Sequence, residues 1–104
     1  MKRHDVYLVD LAPVRGAEIA KTRPCVVVSP DELNNTLRTI VIAPLTSTRR
    51  AWPCRVAITF ASVAGEAALD QIRAIDKSRL VRRLGTLKKA EARDISARLV
   101  EMFA

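Results

Sequence analysis

Histidine, glycine and aromatic side chains are all scarce in this sequence, and each scarcity excludes something. There is one histidine, His4, close to the start of the chain. A two-histidine acid–base nuclease is therefore impossible, and so is a Ser–His–Asp set around a well-placed imidazole. His4 is expected to stand outside the chemistry. Three glycines cannot build a Gly-rich loop that cradles phosphate. The carboxylates do not cluster with metal-ligand spacing, which argues against a two-metal nuclease; no cofactor is expected. The two cysteines, Cys25 and Cys54, form no C-x-x-C motif and fall in apolar stretches, so they read as buried thiols in a reducing compartment. No apolar run approaches the ~20 residues of a membrane helix, and the opening MKRHDVYLVDL lacks the apolar centre of a secretory signal. The expected setting is cytoplasmic, away from membranes. With aromatics at 4%, the core must be built from Val, Ile, Leu and Ala.

What is present suits a single domain spanning residues 1–104, with 49% hydrophobic and 28% charged residues. The formal net charge is +7, which favours polyanionic partners such as nucleic acid or an acidic protein segment. The charge is uneven. Residues 77–104 hold eight bases against three acids, and residues 1–76 hold ten against eight. The basic tail reads most simply as a solvated helix face.

Short strand-like runs follow one another. DVYLVDL (5–11) stops at Pro13. PCVVVS (24–29) is β-branched and uninterrupted, as in a strand buried on both faces. RTIVIAPL (38–45) is similar. CRVAITF (54–60) alternates, with Cys54, Val56, Ile58 and Phe60 on one side and Arg55, Ala57 and Thr59 on the other. EAALDQIRAID (66–76) reads as one or two strands with a kink near Asp70. From about Lys89 to Phe103 the period changes. Ala92, Ile95, Leu99 and Met102 recur at helical steps, with Asp94 and Arg98 at i,i+4 on the polar side. The fold class is mainly β with a C-terminal helix, the helix covering an open face of a small barrel.

Three polar sets sit at the ends of these runs. Glu18, Lys21 and Arg23 lie between the first two strands, in a loop that Gly16 lets turn sharply. Thr46, Ser47 and Thr48 follow the third. Asp70, Gln71 and Arg73 lie in LDQIR. If the strands share one barrel, the loops at one rim converge into a site. Taken singly, Thr46 starts a turn, Asp70 caps a kink and Arg23 is a surface charge.

Read together, DVYLVDLAP, GAEIAKTRPCVVVSP, Asn34–Asn35, APLTST, LDQIRAID and the closing helix resemble the MazF/PemK family of bacterial toxin endoribonucleases, in order, from about Asp5 to Leu99. The G-x-E…R-P-x-V-V-x-S/T-P arrangement followed by P-x-T-[ST] is the specific part. The resemblance implies an SH3-like, partly open barrel of the MazF/PemK/CcdB type, assembled as a homodimer. It implies metal-independent, sequence-specific cleavage of single-stranded RNA that inhibits translation and growth. It further implies a cognate acidic antitoxin, with DNA met only indirectly through the toxin–antitoxin complex. By the same resemblance Arg23 and Thr46 match the catalytic arginine and threonine, Glu18 a functional loop glutamate, and Asp70 an aspartate used in the PemK-type branch.

The chemistry is consistent with those residue types. Attack by the neighbouring 2′-OH leaves a cyclic phosphate and a 5′-OH, and charge builds on the phosphoryl oxygens. An arginine fork holds such oxygens bidentately, and the Thr46 hydroxyl adds a donor. Either Glu18 or Asp70 is available as the base. Arg23 is first a phosphate clamp, because a guanidinium gives up its proton with difficulty. Lys21, Ser47, Arg49, Arg50, Gln71 and Arg73 are the expected RNA contacts. Trp52 can stack a base or pack against the barrel or a dimer mate. Two positions depart from the family pattern: Ala68 stands where the PemK-type branch has an arginine, and Ile19 where many relatives have glutamine. The first leaves Asp70 between a catalytic and a structural role. Two other functions share these features. One is a gyrase poison of the same fold, although those toxins act through a C-terminal tryptophan and this chain closes in EMFA. The other is a non-catalytic module that binds RNA or an acidic partner.

Overall fold

The structure is a computed structural model and describes residues 1–12, 15–19 and 21–104. Pro13, expected to end the first strand, lies outside the described residues. Among the described residues, seven strands form a curled, partly open barrel: β1 (Asp5–Asp10), β2 (Thr22–Val27), β3 (Thr39–Thr46), β4 (Arg55–Phe60), β5 (Val63–Ala68), β6 (Arg73–Asp76) and β7 (Leu80–Thr86). A short helix, α1 (Asp31–Thr36), joins β2 to β3, and a longer one, α2 (Lys89–Phe103), closes the chain. The strand order is β4-β5-β3-β2-β1-β7, with β6 also paired to β3. All pairings are antiparallel.

β3 organises the sheet because its length lets it serve three partners. One edge pairs with β2, Cys25 opposite Pro44 and Val27 opposite Ile42. The other edge is divided. Residues Thr39 to Ile42 pair with β6, and Leu45 and Thr46 pair with β5. The 3₁₀ turn Leu69–Gln71 between β5 and β6 makes that division possible, and it is the kink expected near Asp70.

β2 is buried on both faces, as its apolar run requires. Val26 joins a cluster with Val6, Ala43, Val56, Ile58, Leu69 and Ile95. Cys25 and Val27 join a second with Val9, Leu11, Ile40, Ile42 and Ile75. Burial pushes the Cys25 thiol up to about 12, against the opposing pull of Arg23 and Arg73, so it behaves as a small hydrophobe. Both cysteines are free thiols, Cys25 buried and Cys54 only half-buried.

α2 covers the first cluster through Ile95, which is fully buried, with Leu99 packed beside it. Fully burying one such side chain is worth about 1.5–3 kcal/mol. The helix begins and ends where its apolar period does. Arg98 donates from Nη1 to the carbonyls of Pro53 (2.6 Å) and Arg55 (3.3 Å).

Two elements were not anticipated. Residues 80–86, expected within a basic helical tail, form β7 along the edge of β1. The segment LVRRLGT carries two arginines and a glycine and is mostly exposed, so neither alternation nor burial marks it. Only pairing with β1 makes it a strand. The helix α1 is six residues long and depends on tertiary support. Asn34, one of the paired asparagines, is buried inside it. Its Oδ1 accepts from Ser29 Oγ (2.5 Å), and its Nδ2 donates to the Ser29 carbonyl (2.9 Å). Ser29 Oγ in turn accepts the Val41 N–H (3.0 Å). His4 is part of the frame too: its backbone bonds to Val27 and Leu87, and its ring meets Ser96 Oγ at 3.4 Å.

Candidate active site

Arg23 sits at the start of β2 and Thr46 at the end of β3. The β2–β3 register, continued two residues beyond the Cys25–Pro44 pair, brings the two positions level. Both line one cavity of about 420 Å³, together with Ser47 and with apolar walls that include Leu45, Ile58, Phe60 and Leu84. Strand alternation puts Arg23 on the face that carries Cys25 and Val27. Thr46 Oγ1 accepts the Thr48 N–H at 3.1 Å, which leaves its own proton available to donate. The cavity lining is mostly apolar, and Arg23, Thr46, Ser47 and Glu66 are its polar residues.

The first-loop residues approach from the side. Gly16 adopts φ +58°, the left-handed turn its position calls for. Glu18 is exposed, and its Oε1 accepts the Arg15 N–H at 2.5 Å. The loop is docked onto the 3₁₀ turn by Gln71: its Oε1 accepts the Ile19 N–H at 2.6 Å and its Nε2 donates to the Ala17 carbonyl at 3.4 Å. Arg73, on β6, donates to the Leu11 carbonyl at 3.3 Å. Lys21 is exposed at φ +70°, its carbonyl accepting the Leu11 N–H. Glu18 thus lies on a loop docked against Gln71, while neither residue lines the Arg23–Thr46 cavity.

Asp70 faces a third direction. The Arg55 fork grips its carboxylate, Nε to Oδ1 at 2.7 Å and Nη2 to Oδ2 at 3.3 Å. Burial raises the Asp70 pKa, but the Arg55 hydrogen bond and charge outweigh that and hold it below the usual carboxylate range. Position 68 is a fully buried alanine; the guanidinium at Asp70 comes from Arg55, one strand over. An aspartate in this state is a poor proton acceptor at neutral pH.

Arg49, Arg50 and Trp52 lie on the β3–β4 loop. Arg49 and Trp52 line a second cavity of about 350 Å³ with Arg55, Glu66, Asp94 and Arg98. The guanidinium carbons of Arg55 and Arg50 lie 4.8 and 5.8 Å from the Trp52 ring centroid. Trp52 remains 48% exposed, so it stands on the surface as a ring backed by cations.

Sequence reasoning overlooked Arg55, Glu66 and Gly65. Arg55 was expected on the polar side of its strand, yet it is buried with Glu66. The available signals were a lone acid and a lone glycine in the apolar run VAGEAAL. Gly65 lets β5 lie against the end of β3: a Cβ there would sit 2.3 Å from the Thr46 carbonyl oxygen. Among the described residues, no three His, Cys, Asp or Glu side chains group as metal ligands.

A curled antiparallel sheet closed by one helix is the fold of small toxins among solved structures. The profile of "PemK-like, MazF-like toxin of type II toxin-antitoxin system" matches residues 2–103, and the chain belongs to that family. It is 37% identical to Endoribonuclease MazF9 of Mycobacterium tuberculosis, over 88% of this chain and 86% of that one. It is 32% identical to Endoribonuclease MazF of Staphylococcus saprophyticus, over 92% and 85%. Among solved structures, MazF from Deinococcus radiodurans shares the fold at a TM-score of 0.85 and 22% identity, covering 98% of this chain and 94% of that one. A mycobacterial endoribonuclease in complex with its cognate antitoxin gives a TM-score of 0.82 at 27% identity, covering 97% and 92%.

Proposed function

We propose that this chain is a metal-independent endoribonuclease toxin that cuts single-stranded RNA at short sequences by 2′-OH attack. What supports the reading is that Arg23 and Thr46, far apart in sequence, line the same cavity. In this mechanism Arg23 clamps the non-bridging oxygens of the scissile phosphate through its two-pronged fork. The Thr46 hydroxyl donates to the same oxygens as negative charge grows on them. One donor aimed at developing charge is worth about 2.7–4 kcal/mol. The 2′-oxygen forms the new bond to phosphorus, its proton passes to Glu18, and the 5′-oxygen leaves and is protonated from solvent. Glu18, exposed on the first loop, serves as base; Asp70, held by Arg55, does not. RNA on the flanks contacts Lys21, Ser47, Arg49, Arg50, Gln71 and Arg73, and a base stacks on Trp52.

The active species is a homodimer, and a cognate antitoxin with an acidic segment blocks the RNA surface in the cytoplasm. The net charge of +7 and the exposed Val63, Val81, Val100 and Phe103 support an acidic partner and a second copy respectively. Among the described residues, no helix is long and apolar enough to cross a membrane.

The test is cleavage of a long single-stranded RNA in excess EDTA by wild type and by Arg23→Ala, with the ends mapped. Discrete cuts with cyclic-phosphate and 5′-OH ends are expected. The variant should be slower by at least about a hundredfold, by analogy with loss of one oxyanion donor. Cuts that persist unchanged in Arg23→Ala would overturn the assignment.

A further inference from the structure

The β3–β4 loop carries four of the proposed RNA contacts, Ser47, Arg49, Arg50 and Trp52, and its conformation is imposed from beneath. Glu66 is 3% exposed and stands directly opposite Thr46 in the β3–β5 register. Its two oxygens are spent on the loop backbone: Oε1 accepts the Arg50 N–H and Oε2 the Ala51 N–H, both at 2.9 Å. Ala51 is held at φ +56°, a conformation that a residue with a Cβ enters only when its surroundings demand it. Arg55 closes the bracket. Its Nη1 meets Glu66 Oε1 at 3.4 Å, its other nitrogens meet Asp70, and its guanidinium lies under the Trp52 ring. Arg98 of α2 then holds the carbonyls of Pro53 and Arg55.

We propose that Glu66 and Arg55 are positioning residues for RNA binding: they lock the loop of Arg49, Arg50 and Trp52 in place beside Thr46. The bracket ties the loop to β5, opposite Thr46, so the grip on substrate depends on one buried carboxylate. Asp70 acts as the outer anchor of Arg55. This inference rests on the endoribonuclease reading, but its structural half has an independent probe. The chain has one tryptophan, and it lies in this loop, so its fluorescence reports the loop without any RNA.

Glu66→Gln keeps the shape but supplies one backbone acceptor where two are needed. Arg55→Lys keeps the charge but lacks the fork that reaches Glu66 and Asp70 together. Both variants would be compared with wild type by acrylamide quenching of Trp52 and by steady-state RNA cleavage, with circular dichroism as the folding check. If Glu66→Gln does not fold, Arg55→Lys carries the same comparison. Quenching should rise, and KM should increase about tenfold with kcat changed less than about threefold, the signature of lost uniform binding. Quenching equal to wild type would overturn the bracket. A looser Trp52 with unchanged KM, or an equal loss confined to kcat, would overturn the role in RNA binding. Wild type that cuts no RNA would sink the endoribonuclease reading instead, a result separable from either of these.

Discussion

Replacing Gly65 by alanine should damage the site through backbone alone. The new Cβ would sit 2.3 Å from the Thr46 carbonyl oxygen, 3.1 Å from its carbonyl carbon and 3.4 Å from Ser47 Cα. A carbon rests against a carbonyl oxygen at roughly 3.3 Å or more, so β5 and the end of β3 must part by about 1 Å. All three neighbours are backbone atoms, and no side chain can swing aside. Overpacking of this kind costs about 1–3 kcal/mol. For a chain of this size that is a fall in Tm of roughly 4–8 °C per kcal/mol. The displaced element carries Thr46 and stands opposite Glu66. A misplacement of about 1 Å at reacting groups costs on the order of a hundredfold in rate. Thermal unfolding and single-turnover RNA cleavage would measure the two effects. Unchanged Tm together with an unchanged cleavage rate would refute the argument that Gly65 sets the position of Thr46.

Two further outcomes concern stability. Ile95→Ala removes the fully buried contact of α2 with the first cluster and should cost about 2–5 kcal/mol in urea unfolding; a loss within experimental error would mean that the helix is held elsewhere. Acid should destabilise the fold through Glu66 and Asp70. Burial raises the Glu66 pKa, but the N–H groups of Arg50 and Ala51 and the charge of Arg55 outweigh it, and Asp70 is depressed in the same direction. Folded values below the unfolded ones, about 4.3 and 3.9, mean that both contribute fully above about pH 5. That contribution is lost as pH falls through the depressed folded values. Urea midpoints measured from pH 7 to pH 3 should fall in wild type and more shallowly in Glu66→Gln; equal slopes would show that Glu66 is not responsible.

Much of the frame was legible because local patterns coincide with what the tertiary structure needs. The run from Cys25 to Val27 is buried on both faces, as an uninterrupted β-branched stretch demands. The Ala92–Ile95–Leu99 spacing marks α2 at the observed boundaries. The kink at Asp70 became a 3₁₀ turn, and the Arg23 and Thr46 segments meet at one cavity. The edge strand β7 was not legible. An exposed edge needs no alternation, and the arginines in it suggested a helix face.

The sequence by itself determined the apolar runs, the basic surplus and the period of the closing helix, since these depend on residues within a few positions of each other. Folding decided which charges became interior. Arg55 lies 11 residues from Glu66 and 15 from Asp70, and only the hairpin of β4 and β5 followed by the 3₁₀ turn brings the three together. A guanidinium in that position is held by two carboxylates; one residue out of register, it would point to solvent. The same register sets Gly65 against Thr46 and Glu66 under the β3–β4 loop. These are contacts between chain segments, fixed by strand pairing and twist, and no local preference encodes them.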